Sequence, residues 1–205
     1  MDFTKYFLLL ISLFVVGISR IANASDPDIL SDFILLENQT SACGDFFTYT
    51  GMRGIVHKVQ TTFAVTKASL AEFPALNGQS VSLAMLQFPP GAVNPPHTHP
   101  RASELLFLVK GVLEVGFIDT KNVLYKQKLR AGDMFIFPKG LVHYQYNRNH
   151  YKQAVAISAF GSATVGTVSL PLSIFGTDIN DIVLSKSLKT DVGTIEKIKA
   201  GFPKP

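Results

Sequence analysis

The chain has 205 residues, of which 47% are hydrophobic and 17% charged, and its formal net charge is +4 at pH 7. This length and composition fit one domain that buries a core of its own. No run of five or more lysine and arginine residues occurs, so the modest positive charge argues against a nucleic-acid-binding protein. The sequence also lacks a Gly-x-Ser-x-Gly nucleophile elbow, a Gly-x4-Gly-Lys-Ser/Thr phosphate loop and a reactive cysteine motif.

The N-terminus predicts a signal peptide over residues 1–24. Lys5 precedes the apolar run from Tyr6 to Ile18, and Ala22-Asn23-Ala24 has the small-x-small form of a cleavage site. We expect cleavage after Ala24 and a soluble, secreted product. A transmembrane anchor is the weaker alternative, because the apolar run is shorter than the roughly 20 residues that cross a bilayer.

Two features bear on covalent modification. Cys43 is the only cysteine and cannot form an intrachain disulfide, so it is predicted to be free or buried; an intermolecular bridge is the alternative. Asn38-Gln39-Thr40 is a sequon, and secretion makes Asn38 a candidate glycosylation site. A second sequon at Asn23 straddles the expected cleavage site.

A His-x-His pair followed by a glutamate indicates a metal site. His97 and His99 are two residues apart, and alternate residues of a strand project to one face. Pro100 predicts a break after this strand, which lets Glu104 open the next apolar run. A His-x-His pair in a loop is, taken alone, more often solvated or hydrogen-bonded than metal-bound.

A fourth candidate ligand, His143, follows a turn-rich stretch that begins at Gly132. Three imidazoles and one carboxylate suit a redox-capable first-row metal such as manganese or iron. Zinc, copper or nickel also fits, because ligand type alone does not select the metal. We interpret the four side chains as one metal site, with the ligands His97, His99, Glu104 and His143.

Two spaced boxes in the sequence resemble the signature motifs of the cupin superfamily in their germin form. The boxes read Gly91-x5-His97-x-His99-x4-Glu104-x6-Gly111 and Gly132-x5-Pro138-x4-His143-x3-Asn147. Further germin-like stretches are Ser-Asp-Pro-Asp-Ile-Leu-Ser-Asp-Phe at 25–33, Phe-Thr-Tyr-Thr-Gly-Met-Arg at 47–53 and Pro-Leu-Ser-Ile-Phe-Gly-Thr at 171–177. The resemblance covers the whole chain and implies a plant germin-like protein.

This resemblance implies manganese as the cofactor, bound by the four residues above. It also implies self-association into a homohexamer, a trimer of dimers, in which the C-terminal helices clasp a neighbouring subunit. Germins usually carry two cysteines near the mature N-terminus, and here the first of those positions is Ile34, so that disulfide is absent. The expected location is the extracellular space, apoplast or cell wall, with no membrane partner.

The fold class expected is all-β, a cupin-type double-sheet jelly-roll barrel with C-terminal α-helices. Short apolar runs separated by glycine and proline predict seven strands. They are Val81 to Phe88, Glu104 to Lys110, Val112 to Ile118, Leu124 to Leu129, Met134 to Phe137, His143 to Tyr146 and Ala154 to Phe160. Residues 25–205 are expected to form a single domain, with the barrel over about 55–170 and helices over about 178–202.

The remaining side chains have simpler interpretations. Five apolar residues are expected to line the barrel interior: Phe88, Leu106, Leu108, Phe135 and Phe137. Met85 and Met134 are expected to pack in the core. His57 and His150 lie outside both boxes and are interpreted as ordinary surface or hydrogen-bonded histidines.

Three functions compete. The first is superoxide dismutation at the metal, which needs no catalytic side chain beyond the ligands. The second is oxalate oxidation, for which Asn94 matches one substrate-binding asparagine of germins; the position of the other is Ala84, whose methyl group cannot donate a hydrogen bond, so this activity is disfavoured. Asn94 has the alternative role of a turn residue before two prolines. The third is a wall-associated binding or structural protein that a metal stabilises.

Overall fold

Two antiparallel sheets and a helical C-terminus make up the computed structural model, which describes residues 26–55 and 58–203. The strands are β1 (Ala64–Ala68), β2 (Ser82–Phe88), β3 (Val93–Thr98), β4 (Glu104–Lys110), β5 (Val112–Ile118), β6 (Leu124–Arg130), β7 (Met134–Phe137), β8 (Val142–Tyr146), β9 (Ala154–Phe160) and β10 (Val168–Ser169). The α-helices are α1 (Leu170–Phe175), α2 (Asp181–Leu188) and α3 (Val192–Lys199), and a 3-10 turn spans Pro74–Leu76.

Each sheet has five strands. The first has the order β1-β2-β9-β4-β7, and the second has the order β10-β3-β8-β5-β6. Strands distant in sequence are neighbours in both sheets, which is the connectivity of a jelly roll and confirms the expected fold class. All seven predicted strands are present, with bounds that differ from the predicted ones by at most one residue.

Alternation along the strands places the core between the sheets. In β2, the side chains of Ala84, Leu86 and Phe88 are 3% exposed or less and pack in one buried cluster. Leu106, Leu108 and Phe137 join this cluster, and Phe135 packs against it while partly buried. The five residues expected to line the interior therefore do so, because each lies on the inward parity of its strand.

The expectation that both methionines pack in the core is wrong for Met134. Met85 is 6% exposed, but Met134 is 63% exposed, and its neighbour Ile136 is 52% exposed. Both lie on β7, where Phe135 and Phe137 take the inward positions. Met134 consequently faces out from an edge strand, a parity that the apolar run Met-Phe-Ile-Phe does not reveal.

The turn from β4 to β5 depends on a glycine. Gly111 has φ +88, and a Cβ atom there would lie 2.7 Å from the carbonyl oxygen of Gln153 and 2.9 Å from Cα of Ala154. The glycine in the first signature box thus allows a tight reversal beside β9.

The helices predicted over about 178–202 are present as α2 and α3. Asn180 caps α2 through the backbone N–H of Ile182, and Asp191 caps α3 through that of Thr194. Three elements were not predicted: β1, the two-residue strand β10, and α1, whose first turn accommodates Pro171. No helix in the described ranges is long and apolar enough to span a membrane.

The described N-terminal segment packs along the first sheet. The carboxylate of Asp26 accepts hydrogen bonds from the Ser162 hydroxyl and the Ala163 amide. Cys43 is free and exposed, and Asn38 is exposed as a glycosylation site requires. The signal peptide, its cleavage site and His57 fall outside the described residues, and His150 is exposed, as expected.

Candidate metal centre

Four predicted ligands converge between the two sheets. His97 lies near the end of β3 and pairs in register with His143 of β8, whereas Glu104 opens β4 in the other sheet. His99 follows β3 by one residue, and Pro100 lies in the break before β4, as predicted. Their ligand atoms all lie within 4.8 Å of one another, and each residue is 5% exposed or less.

A bulge in β3 helps to set this geometry. The register between β3 and β8 shifts between Asn94 and His97, where Pro95 and Pro96 interrupt the sequence. Proline has no backbone N–H and cannot donate to the ladder, so these two positions cannot continue regular pairing. Beyond the bulge, the ring centroids of His97 and His143 are 4.1 Å apart, and His99 lies 5.0 Å from each.

Backbone carbonyls fix the tautomers of two histidines. Nδ1 of His97 donates to the carbonyl oxygen of Pro95, and Nδ1 of His143 donates to that of Leu141, each at 2.8 Å. Because the Nδ1 proton is committed, Nε2 of the neutral ring presents its lone pair to the site. His99 Nδ1 lies 3.3 Å from the hydroxyl of Thr167, and a hydrogen bond between them orients this third imidazole.

The two carboxylate oxygens of Glu104 have different partners. Oε1 accepts hydrogen bonds from the Ser158 hydroxyl at 2.5 Å and the Gln145 amide at 3.5 Å. Oε2 faces the histidines, 3.1 Å from Nε2 of His99 and 3.2 Å from Nε2 of His143. The carboxylate is therefore oriented to offer one oxygen as a ligand.

The electrostatics keep His97 and Glu104 in their metal-binding states. Burial lowers the pKa of His97 to about 4, and His143 contributes to this lowering, so the imidazole is neutral at pH 7. Burial by itself raises the pKa of Glu104, but its close contacts with the rings of His143 and His99 outweigh it and bring that pKa to about 2. The carboxyl group is thus ionised at every physiological pH.

This donor set fits a metal ion. Nε2 of His143 lies 3.2 Å from Oε2 of Glu104, a contact that either a ring proton or a cation bound between the two atoms satisfies. Metal–ligand bonds of roughly 2.0–2.2 Å place opposite ligands up to about 4.4 Å apart, close to the observed span. The four residues therefore form a buried three-histidine, one-glutamate metal-binding site.

A cavity of about 410 Å³ opens over three of the ligands, His97, His99 and Glu104. Strands β1, β2 and β9 and residues 164–167 contribute to its walls. Asn94 lines it within β3 and not in a turn, and its side-chain amide donates to Oε1 of Gln145 at 2.6 Å. Ala84 also lines the cavity. The position expected to hold the second substrate-binding asparagine of germins therefore presents a methyl group to the cavity.

Sequence reasoning missed several residues that support the ligands. Ser158 and Gln145 hold Glu104, while the ring of Phe137 stacks on His143 at 4.5 Å. Gln145 lies two residues after His143 and therefore on the same face of β8, and Ser158 is a polar residue at an inward position of an otherwise apolar strand. Their positions along the strands could therefore have predicted that they face the site. No local pattern pointed to Thr167.

Asn147, the last residue of the second box, has a structural role. It is fully buried, and its side-chain amide donates to the carbonyl oxygens of Phe88, Pro89 and Lys152. These bonds tie together the ends of β2, β8 and β9.

Comparison with known proteins agrees with this fold and site. The family model described as Cupin matches residues 58–196. Germin-like protein 9-3 of rice (Oryza sativa subsp. japonica) is 55% identical, over 97% of this chain and 96% of its own length. Germin-like protein 9-1 of rice is 50% identical, over 91% of this chain and 77% of its own. A solved structure of oxalate oxidase is 35% identical with a TM-score of 0.76, covering 87% of this chain and 98% of that one.

The matched barrel and its buried three-histidine, one-glutamate site define the class of the protein. The chain belongs to the cupin family and, within it, to the germin-like proteins.

Proposed function

We propose that the chain is a secreted, manganese-binding germin-like protein of the plant apoplast with superoxide dismutase activity. The observation that carries this proposal is the convergence of His97, His99, Glu104 and His143 beneath an open cavity. When bound, a redox-capable metal such as manganese supplies electron exchange with superoxide. The protein holds the ligands in place, excludes bulk water with the apolar core and leaves one side accessible.

The support comes from what the side chains around the ligands do. Pro95 and Leu141 carbonyls fix two imidazoles, and Ser158 fixes the carboxylate, so the donor geometry is established before the metal binds. Lys67 and Arg101 line the cavity and are both exposed, which favours the approach of a small anion. No nucleophilic side chain is required.

Oxalate oxidation is the least favoured of the three functions, although a solved relative at 35% identity is an oxalate oxidase. Ala84 opposes it, because no amide is available at that position to bind a second carboxylate. The other alternative is a non-catalytic wall protein that uses its metal for stability.

Self-association is part of the proposal. The outward face of the first sheet is apolar and exposed at Leu83, Leu105, Val109, Met134 and Ile136. In the C-terminal helices, Ile182 and Val183 are each 55% exposed. Apolar faces of this kind are typical of protein interfaces and support self-association, for which we propose a homohexamer, a trimer of dimers.

The test is elemental analysis of the secreted protein, with superoxide and oxalate turnover measured on the same sample. We expect near-stoichiometric manganese, superoxide turnover above that of free manganese ion, and no oxalate turnover. A His97→Ala, His99→Ala double variant should lose both metal and activity. Stoichiometric metal without turnover would instead establish the structural role, and absence of metal would overturn the site.

A further inference from the structure

The loop between β9 and β10 connects the N-terminal segment to one of the metal ligands. It comprises residues 161–167, between Phe160 at the end of β9 and Val168 at the start of β10. At its far end, the hydroxyl of Thr167 lies 3.3 Å from Nδ1 of His99. The position of this loop therefore bears directly on the orientation of that imidazole.

Asp26 holds the near end of the loop with both of its carboxylate oxygens. Oδ1 accepts a hydrogen bond from the Ser162 hydroxyl at 2.5 Å, and Oδ2 accepts one from the backbone N–H of Ala163 at 2.6 Å. Ser162 is fully buried, and Ala163 is 2% exposed. Because a buried N–H is costly to leave unpaired, the carboxylate helps to define the path of the chain as it leaves β9.

The Ser162 hydroxyl extends this constraint along the loop. It donates to Asp26 and accepts from the backbone N–H of Thr164 at 3.0 Å. A hydroxyl has one proton, so pairing that proton with the carboxylate leaves the oxygen lone pairs available to Thr164. Hydrogen bonds joined in this way polarise one another, and a charged acceptor strengthens the series. The Asp26 carboxylate therefore acts on three successive residues of the loop.

The other contacts of this part of the loop are of a different kind. The Ser82 hydroxyl donates to the carbonyl oxygen of Ser162 at 2.7 Å, and Nε of Arg101 donates to that of Thr164. These contacts use the acceptors of the loop, whereas Asp26 accepts from its donors. Neither Ser82 nor Arg101 can therefore replace the carboxylate.

Asp26 lies at the start of the expected mature chain, 136 residues before Ser162. Cleavage after Ala24 would make it the second residue. The segment that carries Asp26 is closely packed on the barrel, since a Cβ atom at Gly78 would lie 2.3 Å from Cγ2 of Ile29. The N-terminal segment is thus held where its carboxylate can reach the loop.

We propose that Asp26 is a positioning residue for the metal centre, which acts through residues 161–167 on His99. With the carboxylate in place, the loop holds Thr167 against the imidazole. Without it, the loop and the ring are less constrained, and the metal leaves faster. Removal of the first two residues of the mature chain would have the same effect. This role rests on the metal binding in the proposed function and not on turnover.

The rate at which the manganese-loaded, secreted protein releases its metal to excess chelator tests the proposal. We expect Asp26→Ala to release manganese about tenfold faster than the unaltered protein, the lower end of the effect of residues that orient metal ligands. Asp26→Asn keeps one acceptor oxygen and should be intermediate. Asp28→Asn removes an exposed carboxylate from the same segment and should have no effect. Intact mass verifies that all variants begin at the same residue.

A double-mutant cycle with Thr167→Val separates positioning from a general loss of stability. If Asp26 acts on His99 through the loop, its substitution should add little once Thr167→Val has removed the contact, whereas independent effects would add. In the metal-free protein, amide hydrogen exchange in residues 161–167 should be about tenfold faster in Asp26→Ala, the effect of one lost hydrogen bond.

Three results would overturn the inference: unchanged manganese release in Asp26→Ala, equal acceleration in Asp28→Asn, or additive effects in the cycle with Thr167→Val. Manganese binding without superoxide turnover would remove the proposed activity and leave the inference standing. If the unaltered protein bound no metal, the proposed function would fail, and hydrogen exchange would decide whether Asp26 holds the loop; unchanged exchange in Asp26→Ala would then overturn the inference as well.

Discussion

Ser158 is the residue that aims Glu104 at the histidines. Its hydroxyl donates to Oε1 at 2.5 Å, and both residues are buried at 1% exposure or less. Residues that orient metal ligands in this way are energetically important, because a buried carboxylate that loses a partner must be re-solvated or rearranged.

Ser158→Ala should therefore weaken both the fold and the metal site. We expect a loss of about 1.5–3 kcal/mol in the free energy of unfolding, the usual value of a hydrogen bond to a charged group, and a fall in metal affinity of about 10–100-fold. Urea unfolding of chelated protein and metal titration measure the two effects. Ser187→Ala, which removes an exposed hydroxyl bonded to its own helix, is the control, and equal effects of both substitutions would contradict the role.

Ala84→Asn should increase affinity for oxalate. The position is 3% exposed and faces the cavity, so an amide there can donate to a carboxylate that Ala84 leaves unbound. One charge-assisted hydrogen bond corresponds to at least about a tenfold gain in affinity, measured by calorimetric titration with oxalate. Ala84→Val adds volume without a donor, and a similar gain in that variant would show that the amide is not responsible.

Among individual residues, the metal ligands were predictable from the sequence, but the residues that orient them were not. His97, His99, Glu104 and His143 were readable because their spacing forms two recognisable boxes and because a strand repeats every two residues. Thr167 acts on the site through a contact with His99, which lies 68 residues away in the sequence. Met134 was misassigned for a related reason, since an apolar run on an edge strand does not say which parity faces the core.

Among the elements, α3 depends on its first residues. The carboxylate of Asp191 accepts hydrogen bonds from the backbone N–H and the hydroxyl of Thr194, at 2.9 and 2.7 Å. These bonds favour the ionised form and hold the pKa of Asp191 below its ordinary value of 3.8. The helix caps Asn180 and Asp191 were predictable from residue type. Strands β1 and β10 were not, because they are stabilised by pairing with β2 and β3.

The contribution of Asp191 to stability should depend on pH. Because the folded pKa is lowered, the contribution is present above the unfolded value and disappears as pH falls through the folded one. Asp191→Asn retains a capping oxygen but does not titrate. We expect the unaltered protein to lose thermal stability relative to this variant as pH is lowered below 3.8; parallel melting curves at all pH values would contradict the prediction.

The whole molecule presents an apolar sheet face that should drive its assembly. Ile136 and Leu105 lie opposite each other on this face and are 52% and 43% exposed. Ile136→Lys introduces a charge that would have to be desolvated in an interface, so sedimentation should detect smaller species in place of the proposed hexamer. Thr120→Lys, at an exposed position in the turn before β6, adds the same single positive charge and should leave the assembly intact. An unchanged mass in both variants would exclude this face.

Removal of metal should lower the melting temperature of the whole barrel. A ligand present at 100 times its Kd stabilises a protein by about 2.7 kcal/mol, which corresponds to about 5–10 °C for a chain of this length. Calorimetry with and without a chelator measures the difference. The His97→Ala, His99→Ala double variant should melt at the same temperature in both conditions, and a chelator that leaves the unaltered, metal-loaded protein unaffected would contradict this prediction.

The distribution of the ligands over two sheets has a further consequence. His97 and His143 belong to one sheet and Glu104 to the other, so an ion held by all three joins the two halves of the barrel. Thermodynamic coupling is reciprocal: whatever favours the closed arrangement of the sheets tightens ion binding by the same free energy. A second copy that packs on the outer face of the first sheet and favours the same arrangement of the two sheets would raise metal affinity by the same free energy.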